Sequence, residues 1–291
     1  MTPLLNALQA SPALLIIFCL LAGLLVGSFI NVVVYRLPKM MQRSWESEAR
    51  AVLELPEAEP AAPFNLVFPR SRCPHCDGAV HSFDNIPVLS WLLLRGRCRH
   101  CKAAISCRYP LVELSAGILA ALAAWQIGYG PWLLPVIAAL WTLLTLALID
   151  FDTTLLPDSI NYPLLWGGLL LAWAGISPVL LPDAVLGAAI GYLSLWSLYW
   201  VFKLLTGKEG MGHGDFKLLA ALGAWLGWQM LPLVILLSSL VGVVVGGLLM
   251  TTGAVKRGQG IPFGPYLAGA GLIALLWGPT LVQQYLRIML P

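Results

Sequence analysis

LSAGILAALAAWQIGYGPWLLPVIAALWTLLTLALI, from Leu114 to Ile149, is an uncharged run of 36 residues. Near its middle stands Gly128-Tyr129-Gly130-Pro131, a helix breaker. Lipid offers no partner to backbone N–H and C=O groups, so a chain crosses it as helices of about 20 apolar residues. The run therefore reads as two spans joined in a hairpin. The same measure works outward in both directions. Met1 to Tyr35 is free of charge, and 24 uncharged residues separate Asp158 from Asp183. Another 19 lie between Asp183 and Lys203, 38 between Lys217 and Lys256, and 29 between Arg257 and Arg287. The run of 38 has its own breaker, Gly227 to Pro232, and counts as a second hairpin. The sum is eight spans.

Composition leaves no soluble alternative. Hydrophobic residues make up 59% of the 291 and charged residues 11%; the mean hydropathy is +0.82. A soluble domain carries about 25% charge, so this chain can be neither a water-soluble enzyme nor disordered. A net charge of +3 is too small to argue for nucleic acid as a partner; the partner implied is the lipid bilayer. The expected fold class is an all-α polytopic membrane protein. About eight transmembrane helices carry one polar loop, between the first and second. The first apolar run, about Ala13 to Val34, lacks a basic leader and exceeds a signal-peptide core, so it reads as a retained helix.

Lysine and arginine set the orientation. Eleven of the 17 fall between Arg36 and Arg108, which places that segment in the cytoplasm and the N-terminus outside. Counting through eight helices puts Lys203, Lys208, Lys217, Lys256 and Arg257 on the cytoplasmic side too, leaving only Arg287 outside.

Arg36 to Pro110 is the one stretch of soluble composition. Gln42 to Pro63, with Glu54, Glu57 and Glu59 near Pro56 and Pro60, reads as a flexible or partly helical connector. Beyond it, Cys73-Pro74-His75-Cys76 and Cys98-Arg99-His100-Cys101 form two C-x-x-C pairs. Such pairs match a structural zinc site of four thiolates. A redox pair or two disulfides is the alternative, and a reducing cytoplasm favours metal. His75 or His100 could replace a cysteine as ligand. The nearby Arg72, Arg97, Arg99 and Lys102 suit a cluster of thiolate charge. Cys107 and Cys19 read as unpaired, Cys19 as an apolar filler.

A charge at the centre of a membrane helix costs roughly 2.5–3.5 kcal/mol on insertion scales, so retained acids usually act. Asp183 and Asp158 each follow a proline and read as N-caps. Glu113 near a helix start suits the helix dipole. Asp152 reads as a loop acid. Asp150 is different: it ends a helix, the wrong end for an anion. Asp215 lies in Gly210-Met211-Gly212-His213-Gly214-Asp215-Phe216-Lys217. The run from there to Gly227 is too short to span alone, so Asp215 must lie at or inside the membrane boundary. By the topology both acids sit at cytoplasmic helix ends, where they could share one proton as an acid/base dyad. Spacing alone leaves open that each is a separate helix-end acid. Lys217 could neighbour the dyad or serve as a snorkelling anchor. Gly242, Gly246 and Gly247 read as helix packing.

Several of these motifs, in this order, resemble the bacterial prepilin peptidases of type IV pilus and type II secretion systems. They are Gly27-Ser28-Phe29-Ile30-Asn31 with Arg36-Leu37-Pro38, the paired C-x-x-C loop, and Tyr109-Pro110-Leu111-Val112-Glu113. To these are added Ile149-Asp150-Phe151-Asp152 through Leu156-Pro157-Asp158, Gly212 to Lys217, and Ile261-Pro262-Phe263-Gly264-Pro265. The G-x-G-D element is also similar to that of intramembrane aspartyl proteases. The resemblance implies catalytic aspartates at Asp150 and Asp215, a supporting motif of Gly212, Gly214 and Lys217, and zinc ligands at Cys73, Cys76, Cys98 and Cys101. It implies prepilin and pseudopilin substrates cleaved after a glycine. S-adenosylmethionine would be the methyl donor for the new N-terminus, in the bacterial inner membrane. No glycine-rich nucleoside-binding turn marks a methyl-donor site. The expected division is a first helix at 1–35 and a cytoplasmic loop at 36–110 with its zinc module at about 70–108. A seven-helix membrane domain follows at 111–291, its protease core at about 132–250. Two rival readings are a proton-coupled transporter using the paired aspartates and a membrane-anchored zinc adaptor.

Overall fold

The structure, a computed structural model, describes residues 3–56, 63–252 and 261–289. Glu57, Glu59, Pro60, Lys256 and Arg257, all named above, lie outside the described residues. The helices are α1 (Pro3–Ala10), α2 (Pro12–Val52), α3 (Leu89–Leu93), α4 (Arg108–Ile127), α5 (Leu133–Thr153), α6 (Asp158–Trp173), α7 (Leu181–Thr206), α8 (His213–Leu226), α9 (Leu231–Thr251) and α10 (Gly264–Met289). The eight charge-free spans thus correspond to α2 and α4 to α10. Six of these helices are long and apolar enough to cross a membrane. The other two, α6 and α8, have 16 and 14 residues. At 1.5 Å per residue they are roughly 24 and 21 Å long, short of a hydrocarbon core about 30 Å thick. The protein is a multi-pass membrane protein.

The breakers fall where expected. Gly128 (φ 74°) closes α4 and Gly227 (φ 77°) closes α8, each in a backbone conformation that a side chain would strain. The first helix departs from expectation. It runs on through Pro38 to Val52, so the first part of the presumed connector is helical. Residues 39–52 are mostly strong helix formers, reinforced by i,i+4 bonds from Gln42 to Glu46 (3.2 Å) and from Ser44 to Glu48 (3.0 Å).

The chain divides into two compact units, Met1–Tyr129 and Gly130–Pro291. In the first, α2 packs on α4 through glycines. A Cβ at Gly23 would stand 2.6 Å from the Ala116 carbonyl oxygen, and one at Gly27 2.5 Å from the Glu113 Cα. Small residues let the backbones close up where apolar burial gives no advantage over lipid. The second unit is built around α8, ten of whose 14 residues are buried. Gly187 and Gly223 bring α7 and α8 into backbone contact, and Gly271 admits Leu222 against α10. The Trp225 indole N–H donates to the Leu164 carbonyl of α6 at 2.7 Å. Gly242 and Gly246 meet Tyr266 and Ile261 near the start of α10, while Gly247 faces open space.

Candidate active site and metal centre

Asp150 lies in the last turn of α5 and is 5% exposed; Asp215 lies in the first turn of α8 and is 6% exposed. The two carboxylates are within electrostatic reach of each other. Asp215 is the third residue after the cap Gly212, and its side chain turns back to the Gly212 backbone. That is the acidic half of a capping box, and it fixes the rotamer. Asp150 is approached from α10: the Gly264 backbone interacts with its carboxylate. A Cβ at Gly264 would lie 2.6 Å from Asp150 Oδ2. That oxygen is buried without a hydrogen-bond partner among the described residues.

Leu156 fills the space beside both acids. It would touch a Cβ on Gly264 at 3.1 Å and one on Gly214 at 2.7 Å. The second glycine of the motif is therefore required by close approach. Gly212 is not crowded in this way; its nearest contact would be Asp215 Oδ2 at 3.8 Å. Lys217, two residues beyond Asp215, is neither free nor simply snorkelling. Its ammonium pairs with both carboxylate oxygens of Asp158 at 2.7 and 2.8 Å and lies 5.3 Å from the Tyr162 ring centroid. The N-cap reading of Asp158 is corrected accordingly: Pro157 holds the cap position, and Asp158 is the first helical residue. Asp183 likewise stands two residues inside α7, whose cap is Leu180. It accepts from the Trp228 indole at 2.9 Å and the Gln229 amide at 3.1 Å. Asp152 is exposed. Fully buried Asn161 leaves both amide atoms unpartnered among the described residues.

The loop that leads into α8 is also tied down. The Lys203 ammonium donates to Glu209 at 2.8 Å and to the Tyr199 hydroxyl at 3.1 Å. The Lys203 bond holds the Glu209 carboxyl below its usual range. His213 packs between the rings of Tyr199 and Phe216, at centroid distances of 5.2 and 5.4 Å.

In the first unit the four sulfurs of Cys73, Cys76, Cys98 and Cys101 all lie within 4.8 Å of one another. The Cys73–Cys101 separation is 3.8 Å. Four thiolates placed tetrahedrally about a zinc at about 2.3 Å are themselves about 3.8 Å apart. A disulfide would need about 2.05 Å. The donor set and spacing therefore fit zinc, and neither His75 nor His100 belongs to the group.

The two cysteine turns are copies of one another, offset by 25 residues. Cys73 N–H donates to Gly78 O (3.0 Å) and Cys98 N–H to Ala103 O (2.9 Å); Arg72 pairs with Ala79 and Arg97 with Ala104. Asp77 and Lys102 both take positive φ, at 54° and 58°. Backbone N–H groups of His75 and Cys76 pull the Cys73 thiol down to about 6. The Gly78 backbone draws Cys76 the same way, but burial and the neighbouring sulfurs leave it at about 11. Cys19 is buried and Cys107 exposed, both unpaired.

Two buried charges anchor this loop to its helices. Arg36 donates to the carbonyls of Asn65 (2.8 Å) and Pro69 (2.6 Å). Glu113 accepts the Val88 N–H at 2.7 Å and the Ser28 hydroxyl. The helix-dipole reading of Glu113 missed this, because the partner lies 25 residues away in a loop.

Comparison with known proteins bears on both units. The bacterial peptidase A24 N-terminal domain matches residues 21–127, and the type IV leader peptidase family matches residues 137–247, which contain both Asp150 and Asp215. A prepilin leader peptidase/N-methyltransferase of Stutzerimonas stutzeri is 55% identical over 288 residues, covering 99% of each chain. The chain belongs to the type IV leader peptidase family. Relatives of the same description from Pseudomonas aeruginosa and Aeromonas salmonicida are each 52% identical, over 98% and 100% of both chains. No solved structure matches. Membership in the leader peptidase family leaves the transporter reading without support.

Proposed function

We propose that this chain is a membrane aspartyl endopeptidase. It removes the basic leader of type IV prepilins and type II secretion pseudopilins, then methylates the new N-terminal residue, commonly Phe. The observation that carries the reading is the pair of buried carboxylates, Asp150 and Asp215, from distant helices and within reach of each other's charge. Two like charges brought together in a low-dielectric site disfavour double ionisation, so in this mechanism the pair shares one proton. The ionised member takes a proton from water as its oxygen attacks the scissile carbonyl carbon. The protonated member gives its proton to the carbonyl oxygen. Collapse of the tetrahedral species breaks the C–N bond, and the proton passes to the leaving amine. Gly214 and Gly264 support this by leaving room around the acids. Lys217, held by Asp158, fixes the start of α8.

Cys73, Cys76, Cys98 and Cys101 would hold a zinc ion. Four protein ligands leave no open position, so its part is to close the loop rather than to act on substrate. S-adenosylmethionine would supply the methyl group; no residue is assigned to it. Sixteen of the 17 lysines and arginines support a cytoplasmic zinc loop and cytoplasmic acids in the bacterial inner membrane. A leader left in the cytoplasm and an apolar helix left in lipid would bring the scissile bond to that face. The division into a first helix, a loop at 36–110 and a protease domain at 111–291 belongs to the same proposal.

The test is incubation with a prepilin in detergent, with and without S-adenosylmethionine, read by mass spectrometry. Cleavage in both and a further methyl group only with the donor is the expected result. Asp150→Asn and Asp215→Asn each abolish cleavage while the protein still inserts. Normal processing by either variant removes the dyad.

A further inference from the structure

The geometry points to a second lipid contact, outside the spanning helices: the face of the zinc loop around α3 docks on the surface of an anionic bilayer. Leu89, Leu92 and Leu93 are 50%, 58% and 75% exposed, an apolar ridge on a five-residue helix. Directly after it, Arg95, Arg97 and Lys102 line a cavity of about 320 Å³ with Leu94 and Cys98. Two other arginines of the loop are already spent: Arg72 on Asp77 and Arg99 on Asp84. Arg95, Arg97 and Lys102 have no ion pair among the described residues.

Depth is the deciding point. The Val88 N–H, at the residue before α3, is bound by Glu113, five residues inside the membrane-crossing helix α4. Five residues of helix are about 7–8 Å, so this bond pins the start of α3 near the end of a span. Exposed leucines there meet acyl chains, and cations beside them meet phosphate headgroups, the pattern of an interfacial anchor. Neutralising the thiolate cluster would account for Arg97 and Lys102, which adjoin cysteines. It would not account for the leucines. The inference needs α4 to cross the bilayer and is independent of the peptidase reading.

The experiment places the photoreactive residue benzoylphenylalanine at position 93 of the full chain. The protein is reconstituted in nanodiscs of phosphatidylglycerol or of phosphatidylcholine, irradiated, and its adducts identified by mass spectrometry. Lipid adducts are expected, at least about threefold more abundant in phosphatidylglycerol, with the excess erased by high salt. Arg95→Gln, Arg97→Gln and Lys102→Gln together lower the yield to the phosphatidylcholine level while zinc content is kept. If that variant loses its zinc, the salt dependence of the unsubstituted loop decides. Adducts to protein alone, whether a second copy or a substrate, overturn the inference. So do lipid adducts indifferent to headgroup charge and salt.

Discussion

Gly264 shows how much a single missing side chain can decide. It opens α10, is followed by a proline suited to a helix start, and lies against the Asp150 carboxylate. Gly264→Ala drives a methyl to 2.6 Å from Oδ2, so the carboxylate or the helix must shift. A displacement of about 1 Å in a catalytic group costs on the order of 100-fold in rate. The expected outcome is that loss in kcat for leader cleavage, with insertion and helix content unchanged; wild-type kinetics would remove Gly264 from the site. Asp150 stood out in the sequence because it ends a helix, the wrong end for an anion, and Asp215 because the run after it is too short to span alone; their pairing was implied only by the family resemblance. The glycine was visible only as part of a motif, since contact across 114 positions has no local signature. Asn161 is the opposite case, an ordinary polar residue in the sequence whose two unpartnered amide atoms appear only once it is buried.

Among the elements, the link between α7 and α8 carries a pH-dependent contact. The Lys203 bond depresses the Glu209 carboxyl in the folded protein. A depressed folded value means that its contribution is complete above the ordinary Glu range, about 4.3, and is lost as pH falls through the lower, folded value. Glu209→Gln should therefore speed hydrogen exchange in residues 207–212 at pH 7, several-fold at most for an exposed pair. The gap from wild type should close in acid. A gap that stays constant down to the acid limit would mean that the ion pair does not hold the loop. Charge-free intervals and glycine breakers located eight helices correctly, because desolvation penalises charge wherever a helix meets lipid. Caps were read less well. Asp158 and Asp183 stand inside their helices because each has a partner on another element, and that partner outweighs the local preference for a cap. The connector was read as flexible or partly helical; that its helical part continues α2 without a break to Val52 was not read. Its charged turns are stabilised by i,i+4 pairs, which composition alone does not distinguish from a partly helical connector.

At the scale of the whole chain, each of the two compact units contains one of the two matched family regions, and each has its own source of stability. Unit Gly130–Pro291 is held by the burial of α8. The loop of unit Met1–Tyr129 has few buried side chains and depends on its cysteine turns, Arg36 and Glu113. Stripping metal with a chelator should therefore act on one unit only. Amides of Cys73 and Cys98 should exchange at least about 100-fold faster, while Leu218 to Ala224 keep their protection. Equal loss in both units, or in neither, would contradict a structural zinc confined to the loop. The sequence by itself determined the solvent: lipid forbids unpaired backbone groups and charge, so apolar run length and the placement of lysine and arginine are read directly. It singled out the four cysteines that cluster as well, because two cysteines three apart can turn both sulfurs to one point within a single turn. Only the tertiary structure decided which acids meet, why Gly214 and Gly264 must lack side chains, and where Glu113 and Lys217 find their partners. Those contacts join residues tens of positions apart, and their energy exists only after the helices have packed.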